Sequence, residues 1–445
     1  MELKHILIIA TCICALATEQ GCKKSPETPS ANAPIVTTKP VTNISSTSVV
    51  TGGELVNANN ITDKGILWGT DSNLLKLPYS NKISNGAGPS NFTDTLQNLL
   101  SATTYYVRAY AMYGSEIAYG AAVKFITLLP EPTVYLAGYN GSNAAYWKNG
   151  KLFPLPNGTY AHSIQVVGGD VYAAGEGFFN SNMRALCWKN GIVVPLTNGT
   201  NSAVAYSIYV VGNDVYAAGY ELNNNDANLP VAKYWKNGVA VPLTTGTADN
   251  IGVAYSIYVV GSDVYVAGYK GNRYMGSYIA TYWKNGVAVP LSDSTSVIGS
   301  AQSIFVKNND VYVAGREKQG LGLGGVDVAK YWKNGTGINL TNGIEWAGAN
   351  SIYVAGNDVY VAGYEDDGTT GYSIAKYWKN GTAFPLSTTP YGNAQSIYVI
   401  GNDVYVAGWE SEDAYYIKGK YWKNGVSIPL EITSNFSIAV SNFVQ

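Results

Sequence analysis

One phrase, close to Tyr-Trp-Lys-Asn-Gly, recurs seven times in the last three-quarters of this chain. Its Trp falls at Trp147, Trp188, Trp235, Trp283, Trp332, Trp378 and Trp422, so the copies lie 41 to 49 residues apart. A unit of this length cannot bury a hydrophobic face alone, and neighbouring copies must pack on one another. Each copy reads as four short strands. Around Trp283 they are residues 256–260, 264–269, 280–284 and 287–291, with Gly261-Ser262-Asp263 as the first tight turn. The last two strands are joined by Asn-Gly, the strongest short hairpin signal, because a type I′ turn needs φ > 0 at both central residues. The pair recurs at Asn149, Asn190, Asn237, Asn285, Asn334, Asn380 and Asn424. Four near-continuously apolar strands per unit, repeated at this period, predict seven blades of a β-propeller.

The ends of the array bear on closure. It begins at Val134, already in a second strand, and the missing first strand reads as Ser437-Ile438-Ala439-Val440 near the C-terminus. A terminal strand that completes the first blade removes the open sheet edges. The strand order resembles that of WD-repeat propellers and, loosely, bacterial extracellular repeats with Trp-x-x-Gly hairpins. The WD dipeptide itself is absent, and neither resemblance carries a function.

Upstream, residues 1–22 read as an export signal: Lys4 and His5 precede an apolar run from Ile6 to Ala17 that is too short for a stable membrane span. Two processing routes stand open. Ala15-Leu16-Ala17 offers a small-residue cleavage site, giving a secreted protein. Gly21-Cys22-Lys23-Lys24 resembles the start of Bacteroidetes-type lipoproteins, which implies lipidation at Cys22 and an outer-membrane or cell-surface location; Glu19 and Gln20 depart from the usual lipobox. Residues 23–32 have a linker composition. Residues 33–128 carry short strands with frequent turn signals, as in a β-sandwich. Gly52-Gly53-Glu54, Lys64-Gly65-Ile66-Leu67-Trp68, the run from Leu99 through Thr103 to Tyr110, and Ala118-Tyr119-Gly120 before Phe125 resemble a fibronectin type III-like domain of bacterial surface proteins. The resemblance implies a tyrosine corner on Leu99, Thr103 and Tyr105. Residues 129–133, with Pro130 and Pro132, form a stiff connector, and 134–445 hold the array. The expected fold is therefore all-β: an N-terminal fibronectin type III-like sandwich, then a seven-bladed propeller closed by the C-terminal strand.

Composition excludes several functions. With 28 basic and 30 acidic residues, the chain lacks the cationic footprint of a nucleic-acid binder. Cys12 and Cys14 fall in the signal, and beyond Cys22 only Cys187 remains, at a strand position where other copies have Tyr. There is no disulfide framework, and Cys187 reads as a small buried hydrophobe. His162 is the single His beyond the signal, which leaves little material for histidine metal clusters or a Ser-His-Asp triad. The Gly320–Gly325 stretch reads as a loop between strands and not as a phosphate loop. No cofactor and no catalytic residue are expected.

Binding chemistry has three candidate locations. Each first strand carries a Ser, at Ser163, Ser207, Ser256, Ser303, Ser351, Ser396 and Ser437; seven identical hydroxyls read as packing and hydrogen bonding. The residue before each Ser varies: His162, Tyr206, Tyr255, Gln302, Asn350, Gln395 and Phe436. Mixed polar and aromatic side chains at a concave opening suit a sugar or peptide. Strand parity places the variable second-to-third loops and the connections between blades on one face. That face is assigned a basic sector (Lys270, Arg273, Tyr274, Arg316, Lys318) and an acidic one (Glu365, Asp366, Asp367, Glu410, Glu412, Asp413), with Ca²⁺ as a weaker reading of the latter. Trp346 and Trp409 are assigned to its loops, with Phe178, Phe179 and Tyr391, as stacking aromatics. The expectation is a monomeric, non-catalytic surface recognition or adhesion protein. It would bind a glycan or protein through this face and touch membrane only through its lipid anchor. Two alternatives stand: a polysaccharide hydrolase or lyase using loop carboxylates such as Asp366 and Glu410, and a structural subunit of a surface assembly.

Overall fold

The structure, a computed structural model, describes residues 33–445 apart from 80, 180, 225–227, 293–297, 320–324, 388, 414–415 and 434–436. The signal, the linker, Cys22 and Phe436 lie outside the described residues. The described chain is all-β and divides into two compact units between Glu131 and Pro132.

In the first unit, the strands Ile35–Thr38, Val49–Val56 and Phe92–Leu96 form one antiparallel sheet. Ile61–Gly69 and Thr104–Tyr113 centre a second, edged by Lys82–Ser84, Glu116–Tyr119 and Val123–Ile126. One core joins them, with Val36, Val49 and Phe92 from the first sheet and Ile66, Val107 and Ala109 from the second. The hydroxyl of buried Tyr105 accepts a hydrogen bond from the Leu100 amide at 3.0 Å, tying the strand to the loop that precedes it. Trp68 packs against this core.

The second unit holds seven four-stranded antiparallel sheets. Six are built from consecutive chain, as in Ile251–Val260, Asp263–Asn272, Ser277–Lys284 and Val287–Pro290. The other joins Val134–Asn140, Asn143–Lys148 and Lys151–Pro154 to the C-terminal Ser437–Val444, which pairs with Val134–Asn140. The C-terminal strand thus supplies the first strand of the first sheet, but in another register than the sequence suggested. Ala439 faces Gly138 and Ser441 faces Ala137, the pairing that Ala161–Gly175 and Ser163–Ala174 make in the second sheet. Ser441, not Ser437, therefore occupies the repeat's Ser position, and Val440, not Phe436, precedes it.

The repeat explains itself residue by residue. Each hairpin Asn has φ of +49° to +52° and its Gly +77° to +84°, as a type I′ turn requires. Each Asn Oδ1 accepts from a Val amide at the start of the second strand, at 2.8–2.9 Å. In six sheets its Nδ2 donates to the first-turn Asp, whose other oxygen meets the Lys of Trp-Lys-Asn-Gly at 2.8–3.2 Å. Asp170, Asp214, Asp263, Asp310, Asp358 and Asp403 are thereby structural. All seven Trp side chains are essentially fully buried, each in the core shared with the preceding sheet. Trp188 of the second sheet packs with Tyr135 and Leu155 of the first, and Trp147 of the first with Tyr405, Tyr421 and Leu430 of the seventh. Cys187 is buried, and burial pushes its thiol up to about 11, which makes it unreactive near neutrality.

Candidate functional site

Every first strand of the seven sheets contains a β-bulge at the same place. Pairing skips one residue between Ala161 and Ser163, Ala205 and Ser207, Ala254 and Ser256, Ala301 and Ser303, Ala349 and Ser351, Ala394 and Ser396, and Ala439 and Ser441. The skipped residues are His162, Tyr206, Tyr255, Gln302, Asn350, Gln395 and Val440. A bulge leaves its extra residue out of the ladder and re-aims its side chain. All seven are half-buried and, with the neighbouring Ser residues, line one cavity of about 300 Å³.

The Ser hydroxyls hold this arrangement together. Each accepts from a backbone amide of the next sheet: Ser163 from Ile208, Ser207 from Ile257, Ser256 from Ile304, Ser303 from Ile352, Ser351 from Ile397 and Ser396 from Asn442, at 3.1–3.2 Å. Ser441 accepts from Ile164 at 3.3 Å, a bond from the first sheet to the second. Two residues further along each strand, Tyr209, Tyr258, Phe305, Tyr353, Tyr398 and Phe443 form an arc with neighbouring ring centroids 4.7–5.5 Å apart. Gln165 takes the seventh place and accepts from the Val210 amide at 2.6 Å.

The cavity lining is divided by chemistry. His162, Tyr206 and Tyr255 form an aromatic side, with centroid separations of 4.9 and 5.3 Å. Burial raises the Tyr206 and Tyr255 hydroxyls above the usual phenol range, so both are neutral donors at physiological pH. Gln302, Asn350 and Gln395 form an amide side. Asn350 Nδ2 donates to Asn393 Oδ1 at 2.7 Å and to the Ala394 carbonyl at 2.9 Å, and Gln302 Nε2 to Ser300 Oγ at 2.9 Å. Outside the bulge residues lies the position following Ala-Gly in each second strand: Tyr139, Glu176, Tyr220, Tyr269, Arg316, Tyr364 and Trp409. Five are aromatic and two are charged. Glu176 is 5% exposed and meets His162 Nε2 at 2.6 Å.

Six of the ten ligand candidates thus line one cavity. Tyr255 also lines a second, of about 340 Å³, together with a seventh candidate, Arg316. The other three, Tyr274, Trp346 and Trp409, line neither. Tyr274 is 83% exposed at a hairpin turn, and Trp346 lies in a loop with the Lys318 ammonium 5.4 Å from its ring. The assignment of Arg316 and Trp409 to loops is corrected: both lie in second strands, Asp310–Gln319 and Asp403–Ser411, at the place of Tyr269, and the second and third strands stay paired past them.

The same extension engages much of the acidic sector. Glu221, Glu317, Glu365 and Glu410 each pair with the Lys before the Tyr-Trp of their own sheet: Lys233, Lys330, Lys376 and Lys420. This repeated bond escaped the sequence reading, although its signal is present. The Glu and Lys occur together in four copies, and both are replaced in the other three: Asn140 with Ala145, Gly177 with Leu186, Lys270 with Thr281. Asp367 is consumed by its own loop, accepting from the Thr369, Thr370 and Gly371 amides and the Thr370 hydroxyl. That last hydroxyl is the largest cause of its lowered pKa. Asp366 accepts from Ser373. Among the described residues no group of three His, Cys, Asp or Glu side chains is placed to hold a metal ion.

No known family matches the chain, and no curated protein matches it. A crystal structure of a DUF4784 family protein from Bacteroides caccae aligns over 80% of this chain and 97% of its own, at 10% identity and a TM-score of 0.31. A likeness that weak carries no argument about fold or function.

Proposed function

We propose that the chain is an exported surface protein whose seven sheets form a closed seven-bladed β-propeller and whose bulge-lined cavity binds a glycan. Closure is supported by the Ser-to-amide bonds, which run from each sheet to the next and from the first on to the second, and by the shared core of sheets seven and one. The first unit is read as a fibronectin type III-like sandwich, supported by its two sheets and the Tyr105 bond. Export and a lipid anchor at Cys22 rest on the sequence.

The observation that carries the binding function is the bulge series. Seven side chains set out of the strand ladder line one cavity, aromatic on one side and amide on the other. Tyrosine faces stack on the C–H faces of pyranose rings while side-chain amides pair with hydroxyls. The test is a glycan array probed with the purified protein, with and without Ca²⁺. Specific binding weakened at least about tenfold by both Tyr206→Ala and Asn350→Ala is expected. Hits indifferent to both substitutions would place the ligand elsewhere. Silence from a folded sample would favour a protein partner.

One observation favours a second reading. The His162–Glu176 pair is a carboxylate and imidazole in hydrogen-bond contact at the same cavity, the equipment of general acid–base chemistry. A polysaccharide hydrolase or lyase would then act through this pair and not through Asp366 or Glu410. Release of reducing ends or unsaturated products, abolished by His162→Ala, would establish it.

A further inference from the structure

The cavity beside the bulge-lined one differs from it in charge. Its lining includes Tyr255, Tyr269, Tyr278, Ser300, Arg316, Lys318 and Asp327, and Tyr255 is the wall it shares with its neighbour. Two cations face one carboxylate. Arg316 stands where four other copies have Tyr and one has Trp, so the substitution is local to the fifth sheet. Its side chain is 44% exposed, and one guanidinium nitrogen lies 3.4 Å from Asp327 Oδ2, whose own side chain is largely buried. Asp327 thus orients the fork without enclosing it. Tyr269 and Tyr278 meet edge to face at 5.4 Å and line the same cavity as Arg316.

Resting on the glycan reading above, we infer that this cavity takes the carboxylate-bearing residue of an acidic saccharide, a uronate or similar sugar acid, with neighbouring residues of the chain entering the bulge-lined cavity past Tyr255. A planar guanidinium matches a carboxylate in a two-point contact that an ammonium cannot make. The tyrosine wall suits the flat face of a pyranose, and Ser300 and Asp327 meet its hydroxyls. Asp327 also selects among anions. Its negative charge beside Arg316 opposes a doubly charged phosphate, whereas a sugar acid brings one charge and several hydroxyl donors. A volume of about 340 Å³ suits one sugar and not a folded peptide.

The test uses the full-length chain against three probe sets: neutral oligosaccharides, oligouronates of matched length, and poly-glutamate as an acidic peptide. Oligouronates are expected to bind most tightly, and increasingly weakly as salt rises. Arg316→Gln should weaken that binding about tenfold or more while leaving neutral oligosaccharides unaffected, and Arg316→Lys should recover only part of it. Far-ultraviolet circular dichroism and an unchanged melting temperature control for folding. Binding of neutral oligosaccharides through Tyr206 and Asn350 with no preference for uronates would overturn this inference and leave the glycan reading standing. No saccharide binding at all would overturn both. Poly-glutamate binding that depends on Arg316 would replace the sugar acid with an acidic peptide.

Discussion

Asn442→Ala is the sharpest test of how the two ends of the repeat array are joined. Asn442 sits in the C-terminal strand where six other copies have a buried Ile, and it is 7% exposed. Its Nδ2 donates to the Tyr405 carbonyl at 2.9 Å, and its Oδ1 accepts from Ser396 Oγ at 2.7 Å. Both partners belong to the seventh sheet, whereas Asn442 belongs to the first, so the side chain is a clasp across that one seam. The bond to Ser396 contributes about 1 kcal/mol net, and leaving the buried Tyr405 carbonyl without this partner costs about 1–3 kcal/mol. The expected loss is about 2–4 kcal/mol. Urea unfolding followed by tryptophan fluorescence reads it as a lower midpoint, and limited proteolysis should trim the C-terminal strand first. Ser427→Ala, at an exposed strand position, is the control and should stay within about 0.5 kcal/mol. An Asn442→Ala protein as stable and as protease-resistant as that control would refute the register and the clasp together.

Three further outcomes are expected. Trp188 Nε1 donates to the Pro156 carbonyl at 2.9 Å, whereas Trp283 Nε1 has no partner among the described residues, so Trp188→Phe should cost about 1 kcal/mol more than Trp283→Phe in the same urea assay. Tyr105→Phe removes the bond to the Leu100 amide and should destabilise the first unit by about 1 kcal/mol, seen by calorimetry. Stability should also depend on pH through the turn carboxylates. Hydrogen bonds from Lys189, Lys236 and Lys379 chiefly lower Asp170, Asp214 and Asp358, and those from Asn285, Asn334 and Asn424 chiefly lower Asp263, Asp310 and Asp403. A depressed carboxylate contributes fully above its ordinary value of 3.8 and loses that contribution as pH falls below it. Lys189, Lys236, Lys284, Lys333 and Lys379 are raised, so their share is intact below 10.5 and fades above it. Urea midpoints should therefore be level from about pH 5 to 9 and fall on both sides, and Asp→Asn at these turns should flatten the acid limb.

What was legible in the sequence was local chemistry repeated seven times. Asn-Gly between apolar runs dictates a hairpin wherever it occurs, and a Trp in register with it dictates a buried seam. The C-terminal strand was misplaced by four residues for the same reason. Ser437-Ile438 imitates the repeat's Ser-Ile, while at the true position Ser441 is followed by Asn442, whose amide replaces the expected Ile. The Ala that stands two residues before the Ser in the other six copies does separate the registers, since Ala439 precedes Ser441 in this way and Asn435 precedes Ser437, and the pairing of Ala439 with Gly138 agrees with it. The bulges were invisible because an Ala-x-Ser run pairs equally well with or without a skipped residue. Arg316 and Trp409 were read as loop residues because they break the Tyr that most copies keep at the end of the second strand, although Tyr269, at the same place, was read as strand. The length of a hairpin depends on both of its strands, and those vary from copy to copy.

Seven copies in one chain also act as their own control on what the fold tolerates. Positions that keep their identity each make a bond the sheet needs: Ser to the next sheet's amide, Asn to the second strand, Trp to the preceding core. The bulge position makes no bond common to all seven copies: its side chain is out of the ladder and lines a cavity, and the bonds of His162, Gln302 and Asn350 each go to a different kind of partner. Divergence there costs the fold little, so seven copies of one scaffold can present His, Tyr, Gln, Asn and Val at equivalent points. The position after Ala-Gly is more constrained, being aromatic in five copies, and its two exceptions are both charged. A charge at a partly buried site persists when something answers it. For Glu176 the answer is His162, within its own sheet. For Arg316, oriented by Asp327 yet 44% exposed toward a cavity, the chain leaves most of the guanidinium fork facing outward, and that asymmetry between two otherwise equivalent departures singles out the fifth sheet as the place where an anion docks.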